Sequence, residues 1–271
     1  MHDLLIRPQF PRSNRYEPDW VLANNMGPHP LWLLEWLTNA IEMRPAMRVL
    51  DLGCGKALTS IFLAREFDAQ VYAVDLWTPP DDNWSRILEA GVEQRVTPLR
   101  SEAHALPFAN GFFDLILSVD AYQYFGTDLI YLHYLSRFLR PGGELGIVMP
   151  GLLRPFADDA IPAHLTEAQA NGKVFWEDEC ITFQTVDWWY KLFRQCPRIE
   201  LKLADTLADG WQLWRDFEQA LEQSGKNVFP SDAETLERDA GRYLGFVRLL
   251  AGRSQAAGYN LYDPALLATI G

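Results

Sequence analysis

The stretch Val49–Ser60, VLDLGCGKALTS, constrains the fold more tightly than any other part of the chain. An apolar run ends at Asp51, glycines stand at 53 and 55, and a helix-forming segment follows, so it reads as strand, turn and helix. Such turns hold nucleotide ligands in open α/β folds. This one lacks what a pyrophosphate needs. Leu58 stands where G-x-G-x-x-G would have its third glycine, and no G-K-[ST] follows at P-loop spacing. What remains is D-x-G-x-G, with a second acidic residue, Asp75, closing the next apolar run, QVYAVD. A carboxylate there accepts hydrogen bonds from ribose hydroxyls. The charge of Asp51 opposes phosphate and favours an ammonium group, so the residues suit a ligand with a ribose, a base and an amino-acid tail.

The rest of the first 150 residues repeats the same unit. PLWLLEWLTNAIE (30–42) spaces Leu33, Leu34, Leu37 and Ile41 as one helix face, after an irregular arm over residues 1–25. MRVLDLG, QVYAVDLW, RVTPLR, FFDLILSVDA and PGGELGIVMP read as strands. KALTSIFLAREF, TPPDDNWSRILEAGV and TDLIYLHYLSRFLR read as the intervening helices. This alternation gives a doubly wound α/β fold with a mostly parallel sheet and helices on both faces. After Pro150 the rhythm breaks: residues 151–184 are loop-like, TVDWWYKLFRQCP and GWQLWRDFEQALEQSG are helices, SDAETLERDAGR is another, and RIELKLADTL is a strand. YLGFVRLLAGR fits a last strand or a continuation of the helix before it.

Composition narrows the ligand further. With 24 basic and 36 acidic side chains the net charge is −12. That repels nucleic acid and anionic lipid, and no basic cluster or amphipathic anchor offsets it. The three cysteines, 54, 180 and 196, have no metal-ligand spacing, and the five histidines have none either. No signal-like or membrane-length apolar run is present, so a cytoplasmic location is expected.

Taken in order, VLDLGCGKA, AVDLW, SEAHALPFANGFFDLILS and LRPGGELGIV resemble the motifs of class I S-adenosylmethionine-dependent methyltransferases, over roughly residues 30–150. The resemblance implies a Rossmann-like sheet of seven strands, with S-adenosylmethionine as methyl donor and S-adenosylhomocysteine as product. It also implies a lid and arm over 1–45, a cofactor-binding core over 46–150, and the remainder of the sheet with acceptor-pocket insertions over 151–271. Carried over, Asp51, Gly53 and Gly55 hold the methionine portion and Asp75 the ribose. Leu76 packs on the adenine, Glu102 faces its amine, Ala103 offers its backbone to the ring, and Ser118 and Val119 line the cofactor. Ala57 departs from the glycine many members carry, and is tolerated if its φ is negative.

The acceptor side is less constrained. SVDAYQYFG (118–126) follows the fourth strand, at the sheet end where ligands sit. It resembles the matching segment of phosphoethanolamine methyltransferases, in which an Asp orients the substrate amine. That makes Asp120 and Tyr124 catalytic candidates, with Tyr124 standing where that group has a His. His29, before the lid helix, is a third. Tyr122, Trp176 and Trp188 are candidates for the acceptor wall. The chain is also similar to the cyclopropane-fatty-acid synthase and small-molecule branch. The expected reaction is methyl transfer to nitrogen or oxygen, with carbon open, on a small organic acceptor; a non-catalytic binder of the same cofactor is the alternative.

Overall fold

Val49, Leu50 and Leu52 leave no apolar side chain of β1 (Arg48–Leu52) in water. Val49 belongs to one core cluster, and Leu50 and Leu52 to another on the opposite face. A strand buried on both sides must sit inside a sheet covered twice. The computed structural model describes residues 4–254 and places β1 third in a seven-stranded sheet. The other strands are β2 (Gln70–Asp75), β3 (Val96–Arg100), β4 (Phe113–Val119), β5 (Leu139–Leu152), β6 (Ile199–Thr206) and β7 (Leu244–Arg253). Their order is β3-β2-β1-β4-β5-β7-β6. Only β7 runs antiparallel to its neighbours β5 and β6, so YLGFVRLLAGR is a strand and closes a sheet begun before residue 150.

The first core holds α2 (Pro30–Thr38), α3 (Leu58–Phe67) and α8 (Gly210–Ser224) against the sheet. The second holds α5 (Tyr131–Ser136) and α7 (Val186–Phe193). Helix α4 (Pro80–Glu89) joins β2 to β3, while α6 (Ala163–Thr166) and α9 (Ala233–Asp239) pack together beside α8. Helix α5 is shorter than the sequence suggests. Asp128 Oδ1 accepts the Ile130 N–H at 2.9 Å, a local turn that competes with helix and delays its start to Tyr131. His164, which reads as a solvated loop residue, instead meets the buried Asp239 at 2.9 Å and ties α6 to α9.

The N-terminal arm is not irregular. It contains a 3-10 turn at Ser13–Arg15 and the helix α1 (Pro18–Ala23). The buried Glu35 carboxylate fastens it to α2, accepting N–H bonds from Arg12 at 3.0 Å and Ser13 at 2.7 Å, and the Ser13 hydroxyl at 2.7 Å. Arg7 pairs with Asp216, and Lys226 with Asp19 at 3.0 Å, so the arm and α8 hold each other. Between α1 and α2, residues 24–29 cross the carboxyl ends of the strands as a strap.

Candidate active site

The turn after β1 spends its donors internally. The N–H groups of Gly53 and Cys54 both donate to Val74 O, at 2.8 and 3.1 Å, and the Ala57 N–H donates to Cys54 O at 2.9 Å. Gly55 N–H donates to Asp75 Oδ2 at 2.9 Å. A phosphate-binding turn aims such groups at its anion; here four of them already have partners. The chemistry of these donors therefore suits a ligand without phosphate, one that brings its own N–H and O–H donors. S-adenosylmethionine is such a ligand.

Asp75 sits at the end of β2, buried, with Oδ1 accepting the N–H groups of Trp77 and Thr78, both at 2.8 Å. With Gly55 on Oδ2, it holds two loops at the crevice and keeps about one of its roughly four lone-pair sites for a ligand. Asp51 is held from α3. Its Oδ2 accepts the hydroxyls of Thr59 and Ser60, each at 2.6 Å, so it fastens β1 to the first turn of α3. Burial, helped by the charge of Asp75, pushes its pKa up to about 6.

Ala57 has φ 61° and ψ 21°, the left-handed region, against the expectation of a negative φ. The chain reverses between a turn and α3 there, and its carbonyl must reach the Ile61 N–H at 2.9 Å. Strain of this kind costs about 1 kcal/mol for alanine and more for branched residues. Ala57→Gly is expected to stay within about 1 kcal/mol of the parent, strain relief offsetting the lost buried methyl, whereas Ala57→Val should lose more than about 2 kcal/mol. Urea denaturation measures both.

Other expected cofactor contacts are dispersed around this frame. Leu76 lies 46% exposed on the rim, beside Trp77 at 72%. The Glu102 carboxylate is turned back on its own loop, accepting the His104 N–H at 2.9 Å and meeting the His104 ring at 2.8 Å. Ala103 O accepts the Tyr131 hydroxyl at 3.1 Å. Ser118 is fully buried and donates to Leu52 O at 2.8 Å, locking β4 to β1, while Val119 joins the first core.

Two segments converge beside the glycine turn. A Cβ on Gly53 would strike the Ala121 Cβ, so the chain after β4 lies directly against the turn. A Cβ on Gly27 would strike Asp120 Oδ2, so the strap lies on that carboxylate. Met26, next to it, brings its Sδ within 2.9 Å of where a Gly55 Cβ would be. Asp120 has φ 53°, and Gln123 Nε2 donates to its Oδ1 at 3.1 Å. It keeps a partly exposed edge; burial of the rest pushes its pKa up to about 7, with the charge of Glu218 acting in the same direction.

The remaining acceptor-side candidates separate. His29 is a neutral helix cap: Nδ1 accepts the Trp32 N–H at 3.2 Å, its ring stacks on Trp32 at 4.0 Å, and burial holds its pKa down to about 3. It does not shuttle protons at neutral pH. Tyr124 is 51% exposed, and burial of its inner edge together with the charge of Asp120 raises its pKa, so it stays a phenol and is no base. Tyr122 points into the second core, against Trp189 at 5.7 Å and Phe193 at 6.4 Å. Its fully buried hydroxyl has no partner among the described residues, so Tyr122→Phe should be neutral or stabilising in thermal unfolding. Trp188 packs edge-on to Trp189 at 5.0 Å on that same face, and Trp176 against Phe156 at 5.0 Å. Sequence reasoning missed Gln123, Glu218 and the strap residues Met26 and Gly27, because each acquires its meaning only from the packing of distant segments.

Residues 49–143 match the family described as "Methyltransferase domain". Dimethylglycine N-methyltransferase of Parasynechococcus marenigrum is 33% identical over 119 residues, which take in 41% of this chain and 42% of that protein. The chain thus matches less than half the length of that relative. Two solved structures share the fold over most of the chain. Phosphoethanolamine N-methyltransferase 2 of Haemonchus contortus, in complex with S-adenosyl-L-methionine, has a TM-score of 0.65 at 19% identity, covering 93% of this chain and 60% of that one. Geranyl diphosphate C-methyltransferase of Streptomyces coelicolor gives 0.61 at 16% identity, covering 81% and 78%. Residues 49–143, which open on the glycine turn, thus carry a methyltransferase domain, in a chain whose seven-stranded sheet shares the fold of these two solved enzymes.

Proposed function

We propose that the protein transfers the methyl group of S-adenosylmethionine to a nitrogen or oxygen of a small organic acceptor. The observation that carries this is the convergence of strap, glycine turn and Asp120: a ligand on the turn lies directly beside a recessed carboxylate under the strap. The sulfonium supplies an activated methyl group, so the chain's work is to align the acceptor and keep water out. Gly53 and Gly55 give the ligand's amino-acid end room against the backbone. Asp75 takes a ribose hydroxyl with its remaining lone pair, and Leu76 covers the base. Asp120, whose carboxyl burial raises toward neutrality, orients the acceptor and accepts its proton in this reading.

The relatives reported above are named as methyltransferases, which gives the alternative of a non-catalytic binder no support. Three buried free cysteines and the acidic surface favour the cytoplasm, and no helix among the described residues is long and apolar enough to cross a membrane. Calorimetry tests the reading first: S-adenosylhomocysteine should bind and NADH should not. Screening amines, phenols and heterocycles for S-adenosylhomocysteine release then tests turnover. NADH binding without S-adenosylhomocysteine binding would refute methyl transfer.

A further inference from the structure

Glu218 lies on α8, outside the segment that matches the methyltransferase domain, and it is 9% exposed. It follows Phe217, which meets the strap residue His29 edge-on at 4.9 Å, so this stretch of α8 lies against the strap, and the charge of Glu218 acts on Asp120. Its Oε2 accepts the Asp232 N–H at 3.3 Å, and Asp232 pairs with Lys173 at 2.8 Å. The Lys173 ammonium is bonded to Asp232 and shares its charge with Glu218, so one cation serves these carboxyl groups. Burial pushes the Glu218 pKa up to about 7, as it does for Asp120. Gln123 is fully buried, bonds Asp120 through Nε2, and its Oε1 has no partner among the described residues. Two carboxyls and an amide oxygen all accept hydrogen bonds. Trp214, one turn before Glu218 on the same face of α8, packs edge-on to Phe175 at 5.9 Å within the first core.

We propose that Glu218 is a specificity-determining residue of the acceptor chamber, and that the acceptor is a primary or secondary amine that enters as its ammonium ion. This rests on the methyl-transfer reading. The ammonium supplies a further charge and N–H donors to Asp120, Glu218 and Gln123 Oε1. Before transfer it gives one proton to the Asp120 carboxylate. The freed nitrogen lone pair forms the N–C bond as the C–S bond breaks, and the C–S electron pair stays on sulfur, leaving a thioether and a methylated ammonium. Glu218 takes no proton in this step; its charge draws the cation in and favours it over a neutral molecule of the same shape.

The test is binding to the full-length protein saturated with S-adenosylhomocysteine, so that no turnover is needed. The probes are amines graded in size from methylamine to N-methylbenzylamine, each paired with its neutral alcohol or ether isostere. At least one amine should bind, and Glu218→Gln should weaken it tenfold or more while leaving its isostere and S-adenosylhomocysteine unchanged. Glu218→Asp, which keeps the charge, should recover part of the loss, and turnover should show a raised KM with kcat nearly preserved. Glutamine retains an oxygen for the Asp232 N–H, so the variant tests charge separately from folding. Amine binding that Glu218→Gln leaves intact, or isosteres that bind as well as amines, would overturn the proposal while leaving methyl transfer standing. Failure to bind S-adenosylhomocysteine at all would overturn both.

Discussion

Replacing Asp75 with alanine is expected to cost about 3–5 kcal/mol of stability and to weaken S-adenosylhomocysteine binding by roughly 1–3 kcal/mol. The two losses have one origin. Three backbone N–H groups, from Gly55, Trp77 and Thr78, end on this carboxylate. Removing it leaves them facing a space from which water is largely excluded. The glycine turn and the loop after β2 then lose the anchor that sets their separation. Asp75→Asn separates the contributions. Its oxygen replaces one side of the carboxylate, but its amide nitrogen cannot accept, so either Gly55 or the Trp77–Thr78 pair goes unmatched. An intermediate stability is expected. Denaturation with and without S-adenosylhomocysteine gives both quantities, and a folded Asp75→Ala protein of unchanged affinity would remove Asp75 from the cofactor site.

Asp120→Asn should lower turnover by at least about 100-fold, the usual contribution of a placed acid–base group, with S-adenosylhomocysteine affinity unchanged. The same substitution should stabilise the protein in mildly alkaline buffer. Folding raises this carboxyl from its ordinary 3.8 to about 7. Across that window the folded state holds a proton that the unfolded chain has released. The stability this provides is complete below about pH 4 and is lost as pH rises through about 7. Three units correspond to about 4 kcal/mol at most, reduced by the partly exposed edge of the group. Asparagine carries no such loss, so its advantage in thermal unfolding should grow from pH 5 to pH 8. Turnover of the parent should rise over the same interval as the carboxylate forms. An asparagine variant that keeps its turnover with the true acceptor would end the proton-accepting role.

The α/β alternation was legible because β1, β2 and β4 are buried on both faces and read as continuous apolar runs. The final strand was ambiguous for a local reason: YLGFVRLLAGR has neither a clean period of two nor one of 3.6, and its place between β5 and β6 is a long-range fact. The sign of φ at Ala57 is equally hidden, since it follows from where the turn must deliver α3. Asp51 had a readable signal in the hydroxyls of Thr59 and Ser60, set between the apolar Leu58 and Ile61. The acceptor side was least legible. Tyr122 and Asp120 are two residues apart, yet the backbone leaves β4 into a 3-10 turn and sends one into the far core and the other under the strap. Glu218 comes from α8, almost a hundred residues later in the chain, and only packing brings it near.

The strap at residues 24–29 rests on two places at once, with Met26 over Gly55 and Gly27 on Asp120. A ligand that lifts it from either place prepares the other. Donor and acceptor of the proposed reaction would then be coupled in equilibrium, and the coupling would be reciprocal: whatever factor one added to the other's affinity would be returned in equal measure. The product leaving first would loosen the hold on the second.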